Sequence, residues 1–182
     1  PILLLLPGSR QQEINYHWPI FLSLIKIIKK KNPNFQFILG KSDTVKILDI
    51  PDYVKIENNA NKAMVVSTAA ITASGTATLE CAIEELPTIV CYKMSSISWI
   101  IAKYLTNLKY SSIVNIIADK EIFPEFLQDK MNTNLILKKL ESLLAANSIE
   151  RKTMIEDLQQ IKILLGNPGV YDRIAKSIIK RH

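Results

Sequence analysis

Short apolar runs that alternate with helical patterns constrain this chain more than any other feature of its 182 residues. The runs are Ile2–Leu6, Phe35–Leu39, Tyr53–Ile56, Ala69–Ala73 and Thr88–Tyr92. A strand covered on both faces reads as such a continuous run, and helices placed between the strands cover both faces of a parallel sheet. The expected fold class is therefore α/β, a Rossmann-like parallel sheet flanked by helices. Pro1 leads straight into the first run, as expected of a piece cut from a longer chain.

The intervening segments carry helical periodicity. Phe21, Leu24, Ile25 and Ile28 match the i, i+3, i+4, i+7 template, with Pro19 placed in the first turn and Gln11–His17 read as a separate short helical turn. Another stripe runs through Ile97, Ile100, Ile101, Tyr104, Leu105 and Leu108. Tyr110–Gln128 is less regular. The tail is helical again, with one stripe on Ile136, Leu140, Leu143 and Leu144 and another on Leu158, Ile161 and Leu165. Gly166–Gly169 breaks it before a last amphipathic helix. The expected organisation is a Rossmann-like lobe over residues 1–146 followed by C-terminal helices over 147–182.

Composition narrows the classes. A hydrophobic fraction of 48% and a charged fraction of 22% suit a folded domain. No stretch reaches the ~18 consecutive apolar residues of a membrane-spanning helix. The net charge of +6 calls for an acidic partner, such as a nucleotide diphosphate, an anionic lipid or a nucleic acid. Lys29-Lys30-Lys31 suits the C-terminal end of a helix dipole better than an RNA contact, because no aromatic or glycine residues interleave with the charges. Cys81 and Cys91 have neither a metal-ligand spacing nor enough company for a disulfide framework, and both are expected to pack as small hydrophobes. His17 sits beside Tyr16 and Trp18, and a packing or surface role is favoured over that of a catalytic base.

Two loops carry candidate chemistry. Pro7-Gly8-Ser9-Arg10 follows the first strand, so it faces the crevice beyond the strand ends where ligands bind in such sheets. Gly8 allows close backbone approach, the N–H groups of Gly8, Ser9 and Arg10 can form an anion nest, and Arg10 adds a planar cation suited to phosphate. Ser74-Gly75-Thr76-Ala77 follows the run Ala69–Ala73 and opens a helix whose N-terminus faces the same crevice. With Ser74 as N-cap, the capping-box position falls on Ala77, so capping does not explain Glu80. That carboxylate lies one turn beyond Thr76 and could accept from both ribose hydroxyls. The chain contains no G-x-x-x-x-G-K-[ST], no G-x-G-x-x-G and no Asp-x-Asp, so neither a P-loop ATPase, a dinucleotide enzyme nor a metal-held diphosphate is indicated.

The segments LPGSRQQEI, ASGTATLECAIEELPTIVCYKM and NIIADKEIFPEFLQ, in this order and spacing, resemble the lipid-A-disaccharide synthase family. The resemblance covers nearly the whole chain and is weakest across Lys41–Asn61 and the final helices. It implies the C-terminal lobe of a GT-B fold, which holds the UDP part of the donor while an N-terminal lobe holds the acceptor. The implied reaction moves 2,3-diacylglucosamine from UDP to 2,3-diacylglucosamine 1-phosphate, with inversion, giving a β-1,6 disaccharide. Arg10 and the amides of the Gly75 helix would stabilise the departing UDP. Glu80 would hold ribose, and Asn115, Glu125 and Gln128 would contact sugar or diphosphate. The general base is expected in the other lobe, so this half alone is expected to be inactive.

No cofactor and no metal are implied, and no nucleic-acid partner. The resemblance further implies a homodimer and a bacterial cytoplasmic enzyme peripheral to the inner membrane. The Ile97–Leu108 stripe, flanked by Lys103 and Lys109, could meet a membrane or an acyl chain, but a helix covering a sheet needs the same stripe for its core. Alternatives are another UDP-sugar GT-B enzyme, such as an N-acetylglucosaminyltransferase or epimerase, and a non-catalytic nucleotide-binding module.

Overall fold

The computed structural model describes residues 1–95, 99, 109–145 and 147–166. The Ile97–Leu108 stripe, Asn167–Gly169 and the last helix to His182 lie outside the described residues, apart from Trp99. Six parallel strands form one sheet: β1 (Ile2–Leu6), β2 (Gln36–Gly40), β3 (Val54–Glu57), β4 (Ala69–Ala73), β5 (Thr88–Tyr92) and β6 (Glu125–Leu127). Their order is β3-β2-β1-β4-β5-β6. The chain runs outward from β1 to β3, then returns to lay β4 beside β1, pairing Leu3 with Ala69 and Leu6 with Thr72. Leu3, Leu4, Leu5, Ala69, Ala70 and Ile71 have no exposed surface, as the unbroken apolar runs require.

The helices are α1 (Gln11–Lys31), α2 (Ala60–Val66), α3 (Thr76–Ile83), α4 (Ile113–Ala118), α5 (Thr133–Leu144) and α6 (Ile149–Leu165). The expected break before Pro19 does not occur: α1 is one helix with Pro19 inside it. An internal proline costs a helix about 3 kcal/mol, but Pro19 and Asn15 both face solvent, where water can serve the carbonyl that the proline cannot bond. The buried face runs uninterrupted through Ile14, His17, Trp18, Phe21, Leu24, Ile25 and Ile28, and Trp18 Nε1 donates to the Leu48 carbonyl at 2.8 Å. Lys29, Lys30 and Lys31 do close this helix. Strand β6 was not expected, because three residues behind Pro124 are too few to show a period. Met154, Leu158 and Ile161 of α6 join the same core as the sheet, and Arg151 Nη1 donates to the carbonyls of Thr68 and Leu143, each at 2.9 Å. The described part of the segment 147–182 thus packs on the lobe itself. Cys81 and Cys91 are buried free thiols, and burial pushes Cys81 up to about 12. Among the described residues no helix is long and apolar enough to cross a membrane.

Two buried polar side chains pin the loops at the C-terminal edge of the sheet. His17 is fully buried; its Nδ1 meets the Pro7 carbonyl at 2.8 Å and its Nε2 meets the Lys93 amide at 2.9 Å. The carbonyl only accepts and the amide only donates, so the ring is neutral with its proton on Nδ1. It ties the ends of β1 and β5 together. Asn115 is also fully buried. Its Oδ1 accepts from the amides of Ile122 and Phe123, each at 2.9 Å, and its Nδ2 donates to the Phe123 carbonyl at 2.7 Å and to Glu125 Oε1 at 2.8 Å.

Each pin generates a prediction. Burial holds the His17 pKa below the usual imidazole value, against the opposing pull of the Pro7 carbonyl and Glu13. The unfolded chain therefore binds this proton more readily, so the stability that neutral His17 contributes is complete above about pH 6.5. It is lost as pH falls from there toward the folded-state pKa. Urea midpoints should accordingly drop as pH falls below about 6.5, and that slope should vanish in His17→Gln. For Asn115→Ala, two buried amides lose their acceptor at once, and the unfolding free energy in urea should fall by about 3 kcal/mol.

Candidate functional site: a cleft at the carboxyl ends of the strands

The pairing of β1 with β4 puts the loops that leave them side by side. Between them opens a cavity of about 600 Å³, within the range of small-molecule sites. Gly8, Ser9 and Arg10 line one wall and Ser74, Gly75, Thr76 and Ala77 another. Lys41, Ser42 and Asp43 after β2, with Asn58 after β3, extend it on the far side of β1. Gly8 and Gly75 have φ of 125° and 154°, a region that L side chains rarely adopt. Open space surrounds the Cβ position at Gly75, so its requirement is one of backbone alone.

Gly75, not Ser74, is the N-cap of α3. It brings no side chain to the first-turn amides, so those of Thr76 and Ala77 stay available to a ligand, reinforced by the helix dipole. Thr78 closes the turn through its hydroxyl, which donates to the Gly75 carbonyl at 2.7 Å. The Ser74 hydroxyl is spent elsewhere, donating to the Ser111 carbonyl at 2.8 Å. The opposite loop differs from expectation. Two amides expected to form an anion nest, those of Ser9 and Arg10, already donate to Glu13 Oε2 at 3.0 and 3.3 Å. That loop offers a ligand the Arg10 guanidinium, on a side chain 82% exposed and held, among the described residues, by a 3.8 Å ion pair to Glu13.

Arg10 and Lys41 are balanced in the lining by Glu13 and Asp43, so charge alone does not select an anion there. Direction does: Glu13 spends its charge on the loop amides and Asp43 accepts from Asn58 at 3.3 Å, leaving the α3 amides, Arg10 and Lys41 as donors lining the cavity. Tyr92, half-buried at the end of β5, feels both Glu13 and Arg10, and burial raises its phenol pKa.

The remaining candidates lie outside this lining. Glu80 is exposed on α3 one turn beyond Thr76, and its carboxylate has no hydrogen-bond or ion-pair partner among the described residues. Asn115 does not present a ligand group: all its amide capacity is consumed by backbone and Glu125, so the expected direct contact is corrected to a positioning role. Glu125 accepts from the amides of Ser111 and Ser112, each at 2.8 Å, as well as from Asn115, and so holds the loop that Ser74 also grips. Gln128 follows β6 with a φ of 50°, and its Nε2 is buried without a partner among the described residues. A strained backbone beside an unspent donor is a feature of binding sites.

Reading the sequence overlooked Glu13, Lys41, Asp43, Asn58 and Tyr92. Only Glu13 left a signal: it stands at the third position of α1, where a capping glutamate belongs.

Comparison with known proteins matches this architecture to a family. A family model described as lipid-A-disaccharide synthetase matches residues 1–172. The lipid-A-disaccharide synthase of Rickettsia prowazekii (strain Madrid E) is 39% identical over 173 residues, covering 91% of this chain and 45% of that protein. Lipid-A-disaccharide synthase 1 of Legionella pneumophila (strain Paris) is 34% identical over 174 residues, covering 89% of this chain and 44% of its own length. The chain thus spans about half the length of these relatives. Among solved structures, CalG4, the calicheamicin glycosyltransferase, superposes with a TM-score of 0.64 at 14% identity, over 99% of this chain and 41% of that one. The glycotransferase of kitacinnamycin gives 0.59 at 12% identity, over 99% and 42%. These likenesses show the fold alone, that of a GT-B lobe. The chain belongs to the lipid-A-disaccharide synthetase family.

Proposed function

We propose that this chain is the donor-binding half of a UDP-dependent, inverting glycosyltransferase. In this reading it helps move 2,3-diacylglucosamine from UDP to 2,3-diacylglucosamine 1-phosphate, forming the β-1,6-linked lipid A disaccharide. The observation that carries the reading is the meeting of a free helix N-terminus, at Thr76 and Ala77, with the unsheltered Arg10 guanidinium across one cavity. Family membership supplies the reaction class.

The chemistry asked of this half is electrostatic. As the glycosidic bond to UDP breaks, negative charge grows on the diphosphate. Oriented amides stabilise that charge without reorganising, and the Arg10 guanidinium adds a positive charge beside them. Glu80 is free to accept from the ribose hydroxyls, and Gln128 has a donor to spend on the sugar or diphosphate. Asn115 and Glu125 hold the segment from which Gln128 extends. The general base that activates the acceptor hydroxyl belongs to the acceptor-binding lobe in this account, which leaves this half without turnover by itself. The diphosphate is met without a metal or other cofactor. An acylated substrate implies work at the cytoplasmic face of the inner membrane of a bacterium, as a peripheral and dimeric enzyme. Another UDP-sugar enzyme is less favoured, because the relatives reported above carry the disaccharide synthase name.

Titration of the chain with UDP by calorimetry tests the reading. Saturable binding should weaken about ten- to a hundredfold in Arg10→Ala, the loss of a charge-assisted hydrogen bond. A smaller loss is expected for Glu80→Ala, and none on adding EDTA. Binding indifferent to both substitutions in folded variants would refute the assignment of the site, and loss on chelation would refute its metal-free character.

A further inference from the structure

Glu13 lines the cavity, yet its carboxylate is spent on the loop beside it. Its side chain is only 15% exposed, against 82% for its neighbour Arg10. Oε2 collects the amides of both Ser9 and Arg10, while Oε1 lies 3.8 Å from the Arg10 guanidinium. A capping glutamate ordinarily reaches the N-cap amide alone; this one also takes the amide before it. Its fit against the loop is close. A Cβ on Gly8 would stand 2.4 Å from Oε2 and 2.6 Å from the Glu13 Cβ, so the residue at 8 must lack one for as long as Glu13 keeps its place.

We propose that Glu13 is a positioning residue for the ligand-facing loop: by binding the amides of Ser9 and Arg10 it sets the backbone from which the Arg10 guanidinium reaches into the cavity. The loop therefore meets an anion with a side chain and not with its backbone, and the first turn of α3 supplies the amides. The His17 bond to the Pro7 carbonyl fixes the other end of the same loop, so its backbone is held at both sides. The proposal rests on the reading of this cavity as the UDP site.

The test is a double-substitution cycle read by UDP affinity, with circular dichroism to confirm folding. Glu13→Ala should weaken UDP binding about tenfold in the parent chain, a value typical of coupled neighbours, and have little effect when Arg10→Ala is already present. Glu13→Gln should restore most of the affinity, since one amide oxygen can still accept both N–H groups. An equal loss from Glu13→Ala with and without Arg10 would overturn the proposal, as would parent-like binding by a folded Glu13→Ala chain. A second measurement does not depend on UDP: amide exchange at Ser9 and Arg10 should be slow in the parent chain and in Glu13→Gln, and fast in Glu13→Ala. Equal exchange in all of them refutes the positioning role. A parent chain that shows this exchange pattern but no UDP binding would instead count against the UDP site alone.

Discussion

The parallel pairing of β1 with β4 underlies each feature of the cleft. Because the chain builds outward to β3 and then returns to the far side of β1, two strands distant in sequence end side by side and point the same way. A parallel sheet delivers every strand to one edge, and a reversal of strand order opens a gap between the loops that leave there. Gly8 and Gly75 then supply backbone turns at adjacent strand ends that a side chain would forbid. Without that pairing, the Arg10 loop and the first turn of α3 would be unrelated surface features.

The loops are held by polar groups that are almost fully spent on one another. His17 joins the exits of β1 and β5 as a neutral ring, and Glu13 gathers the backbone between Gly8 and α1. On the other side, Ser74, Ser111, Glu125, Asn115 and Phe123 form a continuous chain of hydrogen bonds from α3 to β6. Most buried polar atoms are thus committed to structure. Among the described residues, the donors left uncommitted stand out by contrast, and they include the amides of Thr76 and Ala77, the Arg10 guanidinium, the Lys41 ammonium and the Gln128 amide. A rigid frame with few unspent donors suits a site that must stabilise charge without rearranging.

Much of the frame was legible in the sequence, and the reasons differ by element. Strands β1, β4 and β5 are bounded by residues that stop an apolar run, so their limits could be read directly, while β2 and β3 each lie one residue further along. Helix α1 differs at Pro19: a breaker predicts a boundary there, but the stripe of Ile14, His17, Trp18 and Phe21 continues through it. Burial of that stripe outweighs one missing hydrogen bond. The two glycine loops were visible because they follow strands. The partners of their polar groups were not, since Glu13 and Asn115 act through backbone atoms whose positions depend on the folded loop. Lys41, Asp43 and Asn58 come together only through the sheet order, which no local pattern encodes.

In the proposed site a diphosphate lies between the first turn of α3 and Arg10, and a crystal structure of the chain soaked with UDP tests that placement most directly. Phosphate oxygens should lie within hydrogen-bonding reach of the Thr76 and Ala77 amides, with the Arg10 guanidinium alongside and Glu13 still bound to its loop. A nucleotide bound at another face of the sheet, or phosphate seated on the Ser9 and Arg10 amides with Glu13 displaced, would contradict it.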